Sequence, residues 1–278
     1  MSNSINNDQP IGIFDSGVGG LTVLKAIRDE LPSENLVYLG DTARLPYGTK
    51  SPLSIARYAK QAAAKLEEQG IKLLVVACNT ASAVALDALR AQLSPLKVIG
   101  VVEPGAAAAV SARPRGTHLV LATEATVRLG AYRHAVEARD PAATVRECAC
   151  ELLVALAEEG WTEGEIAARI IERYLAEATD DDFQADTIIL GCTHFPILKA
   201  AIAAVASTDV LLVDSASTTA TVVSQTLDSI GMRRRRNEPG RLRFLAPDGA
   251  TRFARVGGQF LGQPLSIDDV EIVDLEWP

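Results

Sequence analysis

Cys78 and Cys192 are the side chains whose surroundings best fit proton-transfer chemistry. Each ends an apolar run, Val75-Val76-Ala77 and Ile189-Leu190-Gly191, and each is followed by short polar residues, Asn79-Thr80 and Thr193-His194. A thiolate is a base and a thiol an acid, so two of them on opposite sides of one carbon can take its proton from one face and return one to the other. That inverts the centre, and in the reverse direction the roles exchange. The reaction needs one sulfur ionised and one protonated. His194, two positions after Cys192, can shift that balance, and Asp15 is a candidate on the Cys78 side. Helix N-termini following the cysteines should lower the thiols from their ordinary pKa of about 8.5, while Asn79, Thr80 and Thr193 can donate to carboxylate oxygens. A single cysteine at the end of a buried strand is most often a small packing residue, so the argument rests on the match between the two contexts. Zinc is not expected, because only His194 lies near a cysteine of the pair and neither CxxC nor HExxH occurs.

These residues need elements to carry them. Ile11 to Phe14 is a short apolar run that stops at Asp15-Ser16-Gly17-Val18-Gly19-Gly20 and gives way to helical spacing from Leu21 to Leu31: strand, glycine-rich turn, helix. Leu36 to Leu39 reads as a second strand, ending in a loop through Leu45-Pro46-Tyr47-Gly48, and Ser54 to Gln69 as a helix closed by Gly70. Ile71 to Val76 is a third strand, Ala81 to Leu93 an alanine-rich helix and Val98 to Val102 a fourth strand. A second series begins at His118 to Ala122, passes through helical stretches at 127–137 and 164–178, and reaches strands at Thr187 to Leu190 and from Leu211. Apolar strands alternating with helices predict the α/β class, with parallel sheets covered on both faces. Positions 78 and 192 lie 114 apart, and the first-strand ends at 15 and 123 lie 108 apart. Each cysteine thus takes the equivalent strand end of its own half. The expectation is two similar parallel-sheet domains related by pseudo-two-fold symmetry. Ligands bind at the carboxyl ends of such strands, which puts the site between the halves.

The 278 residues allow two such units, and 48% hydrophobic with 22% charged residues is the balance of a globular enzyme. A formal net charge of −8 argues against nucleic acid and against a membrane surface as partners. The opening MSNSINNDQP has neither a basic nor an apolar leader region, and no apolar run approaches bilayer length, so the cytoplasm is the expected compartment. Four cysteines do not make a disulfide scaffold.

Four longer segments, FDSGVGG (14–20), GDTARLPYG (40–48), ACNTASA (77–83) and GCTHFP (191–196), closely resemble the glutamate racemases of the aspartate/glutamate racemase family in order and spacing. VIGVVEPG (98–105) and ATEATVRLGAY (122–132) are also similar to it, which extends the resemblance to about Asp214. It implies a racemase that needs no cofactor and interconverts L- and D-glutamate, supplying D-glutamate for peptidoglycan. By motif position, Cys78 and Cys192 would be its catalytic pair, with Asp15, His194 and Glu158 tuning the thiols and Asp41 a further candidate. Substrate contacts would come from Asp15, Ser16, Pro46, Tyr47, Gly48, Asn79, Thr80, Thr123, Thr193 and His194. The family also implies a homodimer and a first domain of residues 1–103 and 212–278 interrupted by a second, 104–211. Two departures stand out. Cys150-Glu151-Leu152-Leu153-Val154-Ala155 replaces a stretch that commonly carries prolines, so the loop to Glu158 is expected to run differently. Phe195 replaces a frequent tyrosine.

The remaining features carry less. Gly17, Gly19 and Gly20 lack the spacing of a dinucleotide fingerprint, and they suggest either close backbone approach to a substrate carboxylate or an ordinary turn. Arg233 to Arg236 reads as a solvated helix end or loop. Cys148 and Cys150 are expected to pack with their side chains pointing to opposite faces, His118 and His134 to be surface or core residues, and Thr162 to cap a helix with Glu165 in the capping-box position. A racemase for aspartate, or a non-catalytic amino-acid-binding protein, would use much of the same scaffold.

Overall fold

The computed structural model describes residues 6–275. Residues 1–5 of the opening segment and 276–278 of the returning one lie outside the described residues. The chain begins with β1 (Ile11–Asp15), α1 (Leu21–Glu30), β2 (Leu36–Gly40), α2 (Pro52–Glu68), β3 (Leu73–Val76), α3 (Asn79–Leu93) and β4 (Lys97–Gly100). It continues through α4 (Val102–Ala112), β5 (Thr117–Ala122), α5 (Glu124–Arg128), α6 (Ala131–Glu137), β6 (Thr144–Ala149), α7 (Glu151–Glu158), α8 (Gly164–Ala178) and β7 (Thr187–Gly191). It ends with α9 (Lys199–Val205), β8 (Leu211–Asp214), α10 (Ser215–Ser229), β9 (Leu242–Ala246), α11 (Ala250–Leu261) and β10 (Val270–Ile272).

All strand pairs are parallel and form two sheets, ordered β10-β9-β2-β1-β3-β4 and β6-β5-β7-β8. In the first sheet β1 lies between β2 and β3, and in the second β5 lies between β6 and β7, so β1 corresponds to β5 and β3 to β7. This is the α/β architecture with internal likeness expected from the offsets. Strand residues alternate between cores: Ile11, Ile13, Leu73 and Val75 join one cluster, and Phe14, Leu74 and Val76 join another against α2 and α3. The first cluster continues under the second sheet through Leu119, Leu121, Ile188 and Leu190, so one apolar mass seats both sheets. The far face of the second sheet packs Val120, Ala122 and Ile189 against α4 and α6. Among the described residues no helix is long and apolar enough to cross a membrane.

Several local expectations are corrected. The strand expected through Val102 stops at Gly100, and VEPGAAAAVSA is a helix instead; Pro104 sits in its first turn, where a missing N–H costs nothing, and alanines fill the rest. The stretch 127–137 splits into α5 and α6 at Gly130, which takes φ +61°. The N-cap of α8 is Glu163, without a side-chain cap bond, rather than Thr162. Arg233 to Arg236 is a fastening rather than a solvated run. Buried Arg234 pairs with Asp8 and Glu238, Arg236 with Asp8, and Arg233 with Asp228. Cys148 and Cys150 do not diverge: residues two apart near a strand end share a face, and their sulfurs approach to 3.6 Å.

Candidate active site

Both cysteines stand where a parallel strand gives way to a loop or helix. Cys78 follows β3 and is the N-cap of α3, its Sγ accepting the Ala81 N–H at 3.3 Å. Cys192 follows β7, the corresponding strand of the other sheet. Both line one cavity of about 270 Å³. Ser16, Pro46, Tyr47, Gly48, Asn79, Thr80, Thr123, Glu158, Thr193 and His194 line it too, so every site residue expected from the sequence except Asp15 and Asp41 reaches it. A larger, shallower groove of about 750 Å³ runs along α2 from Arg44 to Gln61, but neither cysteine borders it.

Asp15 is fully buried one layer back, at the end of β1. Its carboxylate accepts the Gly17 N–H at 2.9 Å and the Thr193 hydroxyl at 3.4 Å, and burial raises its pKa against the pull of His194. The expectation that both thiols are lowered fails at Cys78. Burial first, then the Asp15 carboxylate, push Cys78 up to about 12 against hydrogen bonds from Ser16 and Ala81, so at neutral pH it carries its proton. His194 is different: burial opposes its charge, but hydrogen bonds to Cys192 and Glu158 prevail and push it up to about 10. Its Nδ1 lies 3.6 Å from the Cys192 sulfur and its Nε2 3.2 Å from Glu158 Oε1. At neutral pH one sulfur of the cavity is therefore a thiol and the other sits beside a cation.

The departure at 150–155 leaves Glu158 in reach. Glu151-Leu152-Leu153-Val154-Ala155 starts a regular helix, and Glu151, Val154, Ala155 and Glu158, at helical spacing along α7, face the cavity together. Glu158 Oε2 accepts from Arg252 of α11 at 2.5 Å, and Phe260 of the same helix meets the His194 ring edge-on with centroids 5.1 Å apart. Burial of the Glu158 carboxylate would raise it, but the bond to His194 and the charges of His194 and Arg252 hold it below the usual range. Neither Arg252 nor Phe260 is signalled locally, since 94 positions separate Arg252 from Glu158.

The glycines after β1 serve the site indirectly. A Cβ on Gly19 would fall 2.5 Å from His194 Nδ1 and 2.6 Å from Thr193 Oγ1, so this turn lets α1 abut the loop after Cys192 rather than cradle a ligand. Thr22, also missed, donates to the Thr193 carbonyl at 2.8 Å. Across the cavity, Thr80, Thr123 and Thr126 place their hydroxyls 3.0–3.1 Å apart in a triangle joining α3 to α5; Thr126 has no counterpart among the expected residues. Asp41 is bound to Arg44 and the Tyr47 hydroxyl and acts on the loop, not on a thiol. Phe195 is a core residue, His118 lies buried on β5, and His134 is exposed on α6. Among the described residues, no three of His, Cys, Asp and Glu are grouped to hold a metal ion.

Residues 20–223 match the family model for Asp/Glu/Hydantoin racemase. A glutamate racemase of Geobacter metallireducens is 48% identical over 96% of this chain and 97% of its own length. One from Neisseria meningitidis is 40% identical over 98% and 99%. Among solved structures, glutamate racemase from Francisella tularensis in complex with D-glutamate superposes with a TM-score of 0.89 at 35% identity, covering 97% of this chain and 99% of that one. An aspartate racemase from Picrophilus torridus superposes at 0.56 with 17% identity, covering 82% and 96%, a likeness of fold alone.

Proposed function

The chain belongs to the Asp/Glu/Hydantoin racemase family, and from that membership we propose that it is an isomerase interconverting L- and D-glutamate without a cofactor. The observation that carries the reading is the sharing of one cavity by Cys78 and Cys192, each delivered by the corresponding strand of its own sheet. Relatives named glutamate racemase at 40% and 48% identity over nearly the whole chain favour glutamate over aspartate. Cys192, beside the His194 cation, takes the α-proton as base. Cys78, a thiol at neutral pH, gives its proton to the opposite face of the carbanion. In the reverse direction Cys78 is the base and Cys192 the acid, and no electron leaves the carbon–sulfur system. Asn79, Thr80, Thr123, Thr193 and Ser16 offer neutral donors to the substrate carboxylates, Pro46, Tyr47 and Gly48 form the wall, and Asp15, His194 and Glu158 set the protonation of the sulfurs.

On the same reading the product feeds peptidoglycan synthesis in the cytoplasm and the active species is a homodimer. The chain divides into a first domain of 1–103 and 212–278 and a second of 104–211; pairing of β9 with β2 and of β10 with β9 supports the return of the chain to the first sheet, while β8, paired with β7, keeps residues 212–214 with the second. Purified protein given L-glutamate in heavy water without additives is expected to gain deuterium at the α-carbon and to form the D-enantiomer, faster than it turns over aspartate. Unchanged optical rotation and no exchange would refute the activity.

A further inference from the structure

Asn79 lines the cavity from the first turn of α3, and its two amide atoms meet different environments. Oδ1 accepts the Tyr132 hydroxyl at 2.7 Å, while Nδ2 is buried with no hydrogen-bond partner in the structure. A buried amide donor without an acceptor is costly, and in a ligand cavity it is the group a ligand oxygen completes. Which way an asparagine amide faces is decided by its partners, and here that partner is a phenol that can donate only while protonated. Burial holds Tyr132 well above the usual phenol range, so it donates throughout the working pH.

The ring that delivers this hydroxyl has no freedom of its own. Tyr132 comes from α6 of the second series, is wholly buried, and slots between Gly105 of α4 and Gly191 at the end of β7. A Cβ on Gly105 would come to 3.2 Å from its Cε1, and one on Gly191 to 2.9 Å from its Cε2. Gly191 immediately precedes Cys192, and Asn79 immediately follows Cys78. One rigid side chain therefore rests on the backbone beside one sulfur and grips the amide beside the other.

We propose that Tyr132 is a positioning residue for the racemisation: its hydroxyl holds the Asn79 carbonyl oxygen so that Nδ2 faces the cavity and donates to a carboxylate of the bound amino acid. The proposal rests on the racemase reading above.

Tyr132→Phe keeps the ring between the glycines and removes only the hydroxyl. With the amide free to turn, KM for glutamate should rise about tenfold while kcat stays within about threefold, since a net hydrogen bond is worth about that factor. In an Asn79→Ala background the same change should add nothing, because Tyr132 then has no amide to hold. Asn79→Asp, which turns an anionic oxygen toward the cavity, should raise KM at least a hundredfold, and it reads the orientation even if Tyr132→Phe fails to fold. Multiplicative effects of Tyr132→Phe and Asn79→Ala, an unchanged KM in Tyr132→Phe, or an ordinary KM in Asn79→Asp would each overturn the positioning role while leaving an active wild type as a racemase. A wild type that neither exchanges the α-proton of glutamate nor binds it in calorimetry overturns both readings.

Discussion

Replacing Glu158 by glutamine removes a charge from beside His194 and, with its oxygen kept on His194, gives up the acceptor that Oε2 offers Arg252. Glutamine keeps an oxygen where Oε1 accepts from Nε2 at 3.2 Å, so the ring should stay near the Cys192 sulfur. The imidazole sits at about 10, against an ordinary 6.5, with Glu158 among the groups that raise it against burial. An opposite charge at this separation moves a titration by about 1–3 units, so the variant should bring His194 down to roughly 7–9, with about 1.4 kcal/mol for each unit. Arg252 on Oε2 partly neutralises the carboxylate, which places the expected shift in the lower part of that span. Histidine-labelled protein followed by nuclear magnetic resonance reads this directly, since the chain has 3 histidines. The basic limb of kcat/KM against pH should move down with it. Because L- and D-glutamate are equal in free energy, kcat/KM is the same from either side and the limb must move equally for both enantiomers. A His194 titration within about 0.3 unit of wild type would show that Glu158 does not hold its charge, and the reasoning about the site's protonation would fail.

Four further outcomes follow from the same geometry. Cys78→Ser and Cys192→Ser should each lose at least about a thousandfold in kcat, as each face loses its proton carrier, and near wild-type turnover in either would remove that sulfur from the mechanism. Gly19→Ala forces a methyl onto His194 and Thr193, so turnover should drop by about tenfold or more with both cysteines intact; undisturbed kinetics would mean that the turn yields freely. Lys72→Met leaves the buried Glu34 carboxylate without its cation and should cost about 3–5 kcal/mol in urea unfolding, whereas a loss below about 1 kcal/mol would make the pair dispensable. Since folded His194 lies above its unfolded value, its contribution to stability is full below about pH 6.5 and is lost as pH rises toward about 10. The wild-type urea midpoint should therefore fall more between those limits than that of His194→Gln, and parallel curves would contradict the raised value.

Much of this arrangement was legible because the strands are near-continuous apolar runs and the motifs sit at their ends. The two cysteines, Asn79 and Thr193 needed only the rule that parallel strands present ligands at their carboxyl termini, whereas Ser16 came from the motif resemblance. What escaped depends on distance in the chain. Arg252, Phe260, Tyr132 and Thr22 reach their partners through tertiary packing, which leaves no local periodicity to read. Cys78 escaped for another reason. A helix N-terminus argues for a lowered thiol, but complete burial and the buried Asp15 carboxylate outweigh it, and neither is visible in a spacing. The glycines were recognised as enabling close approach, but what approaches is His194 and not a ligand.

The bracing of His194 and Glu158 by α11 has a consequence for how the protein comes into being. A ribosome releases Cys78, Glu158, Cys192 and His194 well before it reaches Arg252 and Phe260 of α11. A nascent chain thus owns both thiols while the groups that steady their neighbour are still unmade, and long-range closure of this kind is the slow part of assembly. Competence waits on the synthesis of α11, so a product terminated before it would carry the reactive sulfurs yet lack the poise to use them.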